Sequence, residues 1–208
     1  MFIGCRRAQL SMAKGKNDLI LRDRMQFTFT GDDIPTLYGR VDLSDYVSIP
    51  KSEGLKIKEI RFQVRNTGTA NTGSFNQLLL NPGGSTTTAG AAFLKMYTTT
   101  TAYETAVDVG IGSPNVINVV EHQHYITLVQ DGGTNTGGNQ LVSYFEYGAP
   151  DLHPEGFPVV TDLLVGVAAE NCTKYNDDTL ELDIMIIAEK VKLTKDDMEA
   201  MLTQATDL

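Results

Sequence analysis

Two histidines two residues apart, in Glu121-His122-Gln123-His124, have the spacing best suited in this chain to holding a metal ion. On an extended strand, residues i and i+2 project from one face, so both imidazoles would address the same point. The plainer alternative is a polar strand face or a loop-end pair. Cys172, in Glu170-Asn171-Cys172-Thr173, would act as a nucleophile only with a base brought to it by the fold, His153 being one, and no Gly-x-Ser-x-Gly turn is present. The carboxylate pairs Asp32-Asp33 and Asp177-Asp178 sit in turn contexts, where aspartate serves the backbone. Gly132-Gly133 and Gly137-Gly138 lack the Lys and Ser/Thr of a phosphate-binding loop. The expectation is a protein with no catalytic residues, no cofactor and no metal.

Charge is the remaining chemistry, and it is unevenly spread. The chain has 208 residues, a formal net charge of −9 and 23 threonines. Residues 1–65 carry 12 basic and 8 acidic side chains, residues 66–142 carry 1 and 4, and residues 143–208 carry 4 and 14. The acidic total excludes a generally basic nucleic-acid binder, and no apolar run approaches the roughly 18 residues of a membrane span. The positive surplus is local: Arg6, Arg7, Lys14, Lys16, Arg22 and Arg24 lie within residues 1–24, a flexible basic arm able to neutralise a few phosphates of a genome. The charge-poor middle must be buried, covered by a partner, or kept wet by Thr, Asn, Gln and Gly. Two cysteines build neither a disulfide framework nor a zinc site. No export signal is evident, and Met12-Ala13-Lys14-Gly15 reads as a second possible start.

The elements that must position these groups are short strands. Met25–Thr30 alternates apolar and polar, and Gly31-Asp32-Asp33 turns the chain. In Leu55–Arg65, Leu55 and Ile57 share one parity while Ile60, Phe62 and Val64 share the other, so a β-bulge near Lys58-Glu59 is required to keep all five on one face. Its polar face then carries Lys56, Arg61, Gln63 and Arg65, either solvated, at an interface, or turned toward nucleic acid. Further strands are predicted at Phe75–Leu80, Phe93–Thr100, Thr105–Val109, Val116–Gln130, Gln140–Tyr147, Val159–Ala169 and Thr179–Leu193, with a weaker extended piece over Tyr38–Val47 and a long loop over 131–139. The fold class is all-β, a jelly-roll β-sandwich of eight or nine antiparallel strands over residues 25–193. One helix follows over 194–208, with Thr194 as N-cap and Met198, Met201 and Leu202 on one face, suited to a contact with the sandwich or with a neighbouring subunit.

Two resemblances bear on function. The basic arm, the short strands with Thr/Gly/Asn-rich loops, the charge-poor middle and the amphipathic C-terminal helix together resemble the small single-jelly-roll capsid proteins of icosahedral viruses. That resemblance implies a virion structural protein that self-assembles with copies of itself, its arm facing the genome, assembled inside the host cell and without a membrane span. The surplus of about +4 in the first 65 residues neutralises only a modest part of a packaged genome. The His-x-His pair resembles the first motif of cupins, but Val116 stands where that motif has Gly, and Leu128 or Val129 where it has an acid. A carbohydrate-binding or host-attachment sandwich is the alternative from another class, with loops 131–139 and 144–147 as its recognition surface. A cupin-like metal enzyme is the third.

Overall fold

The computed structural model describes residues 11–12, 18–68, 72–81, 89–131, 134–148 and 156–206. Alternating side chains divide most of the chain into ten strands. These are β1 (Ser11–Met12), β2 (Asp18–Thr28), β3 (Ile34–Val41), β4 (Glu53–Arg65), β5 (Ala89–Thr99), β6 (Val116–Asp131), β7 (Thr134–Gly148), β8 (Phe157–Val159), β9 (Leu163–Glu170) and β10 (Thr179–Lys192). One α-helix, α1, spans Lys195–Thr206. The strands form two five-stranded antiparallel sheets, ordered β1-β2-β10-β4-β8 and β3-β9-β5-β6-β7.

The pairing is nested. β2 pairs with β10, β3 with β9, β4 with β8 and β5 with β6, so the first of these eight strands meets the last and each successive strand meets the next one in. That winding is the jelly roll expected from the sequence. β7 is added outside it, at the far edge of the second sheet. In β2, Leu21, Met25 and Phe27 face inward while Arg22, Arg24 and Gln26 are exposed. The core joins them to Leu55, Ile57 and Ile60 of β4, Leu94 and Met96 of β5, and Leu180 to Ala188 of β10.

The bulge lies where the parity of the sequence requires it. Glu59 pairs with Ile187 and Ile57 with Ala188, leaving Lys58 as the extra residue. Leu55, Ile57, Ile60 and Val64 are thereby all buried, and the Lys58 ammonium, freed to the outside, sits 2.7 Å from both Asp18 and Glu189.

Several boundaries differ from the sequence expectation. β2 starts at Asp18, so the sandwich begins ahead of residue 25, and Arg22 and Arg24 belong to a strand rather than to an arm. Arg22 and Arg24 are on its outward parity, with Asp23 on the inward one, and grouping by charge made the stretch look like a tail. Arg6, Arg7, Lys14 and Lys16 lie outside the described residues. Phe75–Leu80 is not a strand, because its backbone groups are claimed by side chains: Tyr175 Oη both accepts from Asn76 N at 3.0 Å and donates to Asn76 O at 2.6 Å, and Asn76 Oδ1 accepts from Leu78 N. Thr105–Val109 contains a 3-10 turn over Ala106–Asp108, with the Thr105 hydroxyl accepting from Val107 N. Val159–Ala169 divides into β8 and β9. The β6–β7 ladder runs on to Asp131 and Thr134, through most of the stretch expected as a loop.

Deleting Lys58 would close the bulge and invert the facing of Leu55 and Ile57. We expect a loss of about 4 kcal/mol, two buried aliphatic side chains, in chemical unfolding. Lys58→Ala, which keeps the register and removes only partly exposed ion pairs, is expected to cost less than about 1 kcal/mol.

Candidate functional site

His122 and His124 do share a face of β6, the inward one, and both are buried at 7% and 0% exposure. The His122 ring lies between Phe75 and Tyr144, with centroid distances of 5.4 and 4.9 Å. His124 Nδ1 accepts a hydrogen bond from Leu80 N at 3.0 Å. Nearby, Lys174 N donates to Leu79 O, Asn81 N donates to the Thr173 hydroxyl, and Tyr175 stacks on Phe75. The two histidines therefore help hold the irregular segment 74–81 against the end of the sandwich. No cluster of three or more His, Cys, Asp or Glu suited to a metal ion occurs among the described residues.

Burial keeps both rings neutral. It pushes the His122 imidazole down to about 4, and it lowers His124 as well, with Lys174 adding to the effect and Gln140 opposing it. Cys172 is fully buried and donates to Phe93 O, and its thiol is pushed up to about 12, chiefly by burial. That is the opposite of what a nucleophile needs. His153 lies outside the described residues. The aspartate pairs do serve the backbone: Asp177 Oδ1 accepts from Gly31 N, Asp33 Oδ1 from Asn171 N, and Asp32 O from Cys172 N.

The basic residues on the first sheet are interleaved with the acids of β10. Arg24 pairs with Asp183 and stands 3.6 Å from Glu181. Arg65 stands 3.5 Å from Glu181 and 3.7 Å from Asp183, and Arg61 pairs with Glu59 and reaches Glu146 of β7 at 3.8 Å. This face is thus locally balanced rather than positive, and it contributes little net stability because the pairs are largely solvated.

The outer face of the second sheet is different, because it carries aromatic side chains on either side of a polar centre made by Lys95, Glu121 and Gln123. On the β3-β9-β5 side the chain covers it with its own loop, residues 101–115. Tyr97 and Tyr38 flank Gly166 in register, and the Tyr97 ring lies over the space a side chain there would fill. The Tyr97 hydroxyl donates to Tyr38 Oη at 2.8 Å, and Tyr38 in turn accepts from Tyr103 N and donates to Tyr103 O. A second apolar cluster of Tyr97, Ala106, Val109 and Val119 forms under the loop, and the Lys95 ammonium donates to Ala106 O at 3.0 Å and to Val109 O. Partial burial lowers the pKa of that ammonium, against the pull of Glu121. A cleft of about 500 Å³ opens where loop meets sheet, between Phe93, Lys95, Val107 and Glu170.

On the β6-β7 side nothing among the described residues covers the face. Tyr125, Leu141, Phe145 and Tyr147 all project there, and they are 39%, 59%, 38% and 38% exposed. Phe145 stacks on Tyr147 with centroids 6.1 Å apart, and Tyr125 packs edge-on against Phe93. Gln140–Tyr147 is a strand as expected, and 144–147, expected as a recognition loop, is the part of that strand that carries Phe145 and Tyr147. The signal for this strip was present, in that Thr134–Gly148 has three aromatic residues and only one formal charge, Glu146.

The C-terminal helix behaves partly as expected. The Thr194 hydroxyl accepts from Asp197 N at 3.1 Å and donates to its carboxylate, which fixes the first turn. Met198 is 3% exposed within its own chain, so it is not available as a subunit contact; Met201 and Leu202 are half-buried. No helix among the described residues is long and apolar enough to cross a membrane. Comparison with protein-family models, with curated proteins and with solved structures finds no match.

Above pH 6.5 His122 is neutral whether folded or not. As pH falls from 6.5 toward 4 the unfolded chain takes up a proton that the folded chain refuses, so stability is lost across that window, by about 3 kcal/mol at its lower end. Unfolding measured at a series of pH values should show this loss in the native protein and a shallower one in His122→Phe; equal slopes would overturn the assignment. Gly166→Ala would place a Cβ 2.1 Å from Tyr97 Cζ. We expect a cost of about 3 kcal/mol, partly recovered in Gly166→Ala/Tyr97→Leu.

Proposed function

We propose that this chain is a virion structural protein, a subunit that assembles with copies of itself into an icosahedral shell around a viral genome. The observation that supports the reading most is the uncovered apolar strip of Tyr125, Leu141, Phe145 and Tyr147 on a jelly roll whose core is already complete without it. Large apolar side chains gathered in the open on one face mark an interaction site. The charge-poor middle of the chain fits the same reading, since β5, β6 and the start of β7 lie in it and subunits of net charge −9 must meet where they do not repel.

Contact with the genome would fall to Arg6, Arg7, Lys14 and Lys16. Arg24 is already engaged by Asp183, and Arg22 projects from the charge-balanced face of the first sheet, so neither is assigned that role. A second reading, carbohydrate binding, draws on the same tyrosines, because aromatic faces stack on sugar rings.

Sedimentation and negative-stain imaging of the purified full chain, over a range of salt and pH, test the proposal. Closed particles, favoured by salt that screens the acidic subunits, are the expected result. A monomer or small ring under every condition would overturn it. Specific capture by immobilised glycans without assembly would move the assignment to the second reading.

A further inference from the structure

We infer that the contact between two copies is made by β7 against β7 of a second copy, antiparallel and across a two-fold axis, joining the two second sheets into one. This names an interface of the proposed assembly and rests on that reading. β7 pairs with β6 alone among the described residues, so the backbone groups along its other edge are without a strand partner. Soluble proteins protect such an edge with lysine, proline or an early bulge. Thr134–Gly148 contains no lysine, arginine or proline, and its one bulge, with Thr136 as the extra residue, lies at the hairpin end and leaves the Gln140–Glu146 edge regular.

An edge of this kind calls for another strand, and an antiparallel edge is complementary to itself. A second copy is also the partner for which the charge pattern is suited: two chains of net charge −9 meet here through segments carrying one carboxylate each. The side chains select the register. A two-fold axis perpendicular to the sheet keeps outward residues opposite outward residues, so the axis passes through a residue of β7. Centred on Ser143, it places Leu141 opposite Phe145 of the second copy, Val142 opposite Tyr144, and Glu146 opposite Gln140. Moved to Tyr144, it places Glu146 against Val142 and Phe145 against Ser143. Moved to Glu146, it places the two carboxylates against each other. The Ser143 register matches apolar with apolar and gives the carboxylate an amide.

The test uses the full chain with Cys5→Ser and Cys172→Ala. Ser143→Cys is expected to give a reducible dimer under mild oxidation, at least tenfold faster than Ser44→Cys on an exposed turn away from β7. Leu141→Lys/Phe145→Lys, at exposed positions, is expected to weaken dimerisation at least 100-fold in sedimentation while leaving the circular dichroism spectrum unchanged. If the double variant does not fold, the cross-linking rate alone decides. Shells that form equally well from the double variant, or a Ser143→Cys rate no greater than the control, overturn the β7 contact and leave the shell reading standing. A β7 dimer that never grows into a larger particle supports the contact and overturns the shell reading.

Discussion

The last strand of the chain is the middle of the first sheet. β10 is hydrogen-bonded to β2 along Thr179–Glu189 and to β4 along Glu181–Lys192, so residues at the two ends of the sequence must meet before that sheet exists. Everything else is arranged around this pairing. The inward residues of β10, from Leu180 to Ala188, supply the central column of the core. Its outward carboxylates Glu181 and Asp183 organise the arginines of both neighbours. Such long-range closure is slow, because the entropy of bringing distant segments together is spent before most apolar burial is gained. The irregular segments that follow β4 and β5 then attach to a frame already made.

Most of that frame was legible in the residues. Alternation marked β2, β4, β6 and β10, and the two parity sets in Leu55–Val64 located the bulge before any partner strand was known. What misled was local composition. Phe75–Leu80 is apolar enough for a strand, but its backbone is held by His124, Lys174 and Tyr175, residues far away in sequence. Arg22 and Arg24 looked like part of a tail because the intervening inward residues Leu21, Asp23 and Met25 include a carboxylate that broke the pattern. Little of the candidate surface was legible. Whether Leu141, Phe145 and Tyr147 face a core or solvent depends on which strand closes the sheet, and only the topology decides that.

His122 and His124 show how a motif with the right spacing can carry a different chemistry. Two imidazoles on one strand face can converge on a metal, yet here they point into the sandwich, one between aromatic rings and one accepting from a backbone N–H. A neutral ring is what that acceptor role requires, and burial secures it. The same residues thus make the docking of segment 74–81 sensitive to acid.

The loop over Tyr97 gives the molecule two tiers. Its apolar cluster and the main core share no residue and lie on opposite faces of the second sheet. The loop can therefore lift as a unit while the sandwich stays closed, by a sub-global opening that costs less than unfolding the whole. When it does, Tyr97 and Val119 come into view beyond the Lys95–Glu121 pair, and the exposed apolar area of the face grows. The apolar area at this face is in that sense adjustable, set by how firmly the Tyr38 hydroxyl and the Lys95 ammonium keep the cover down.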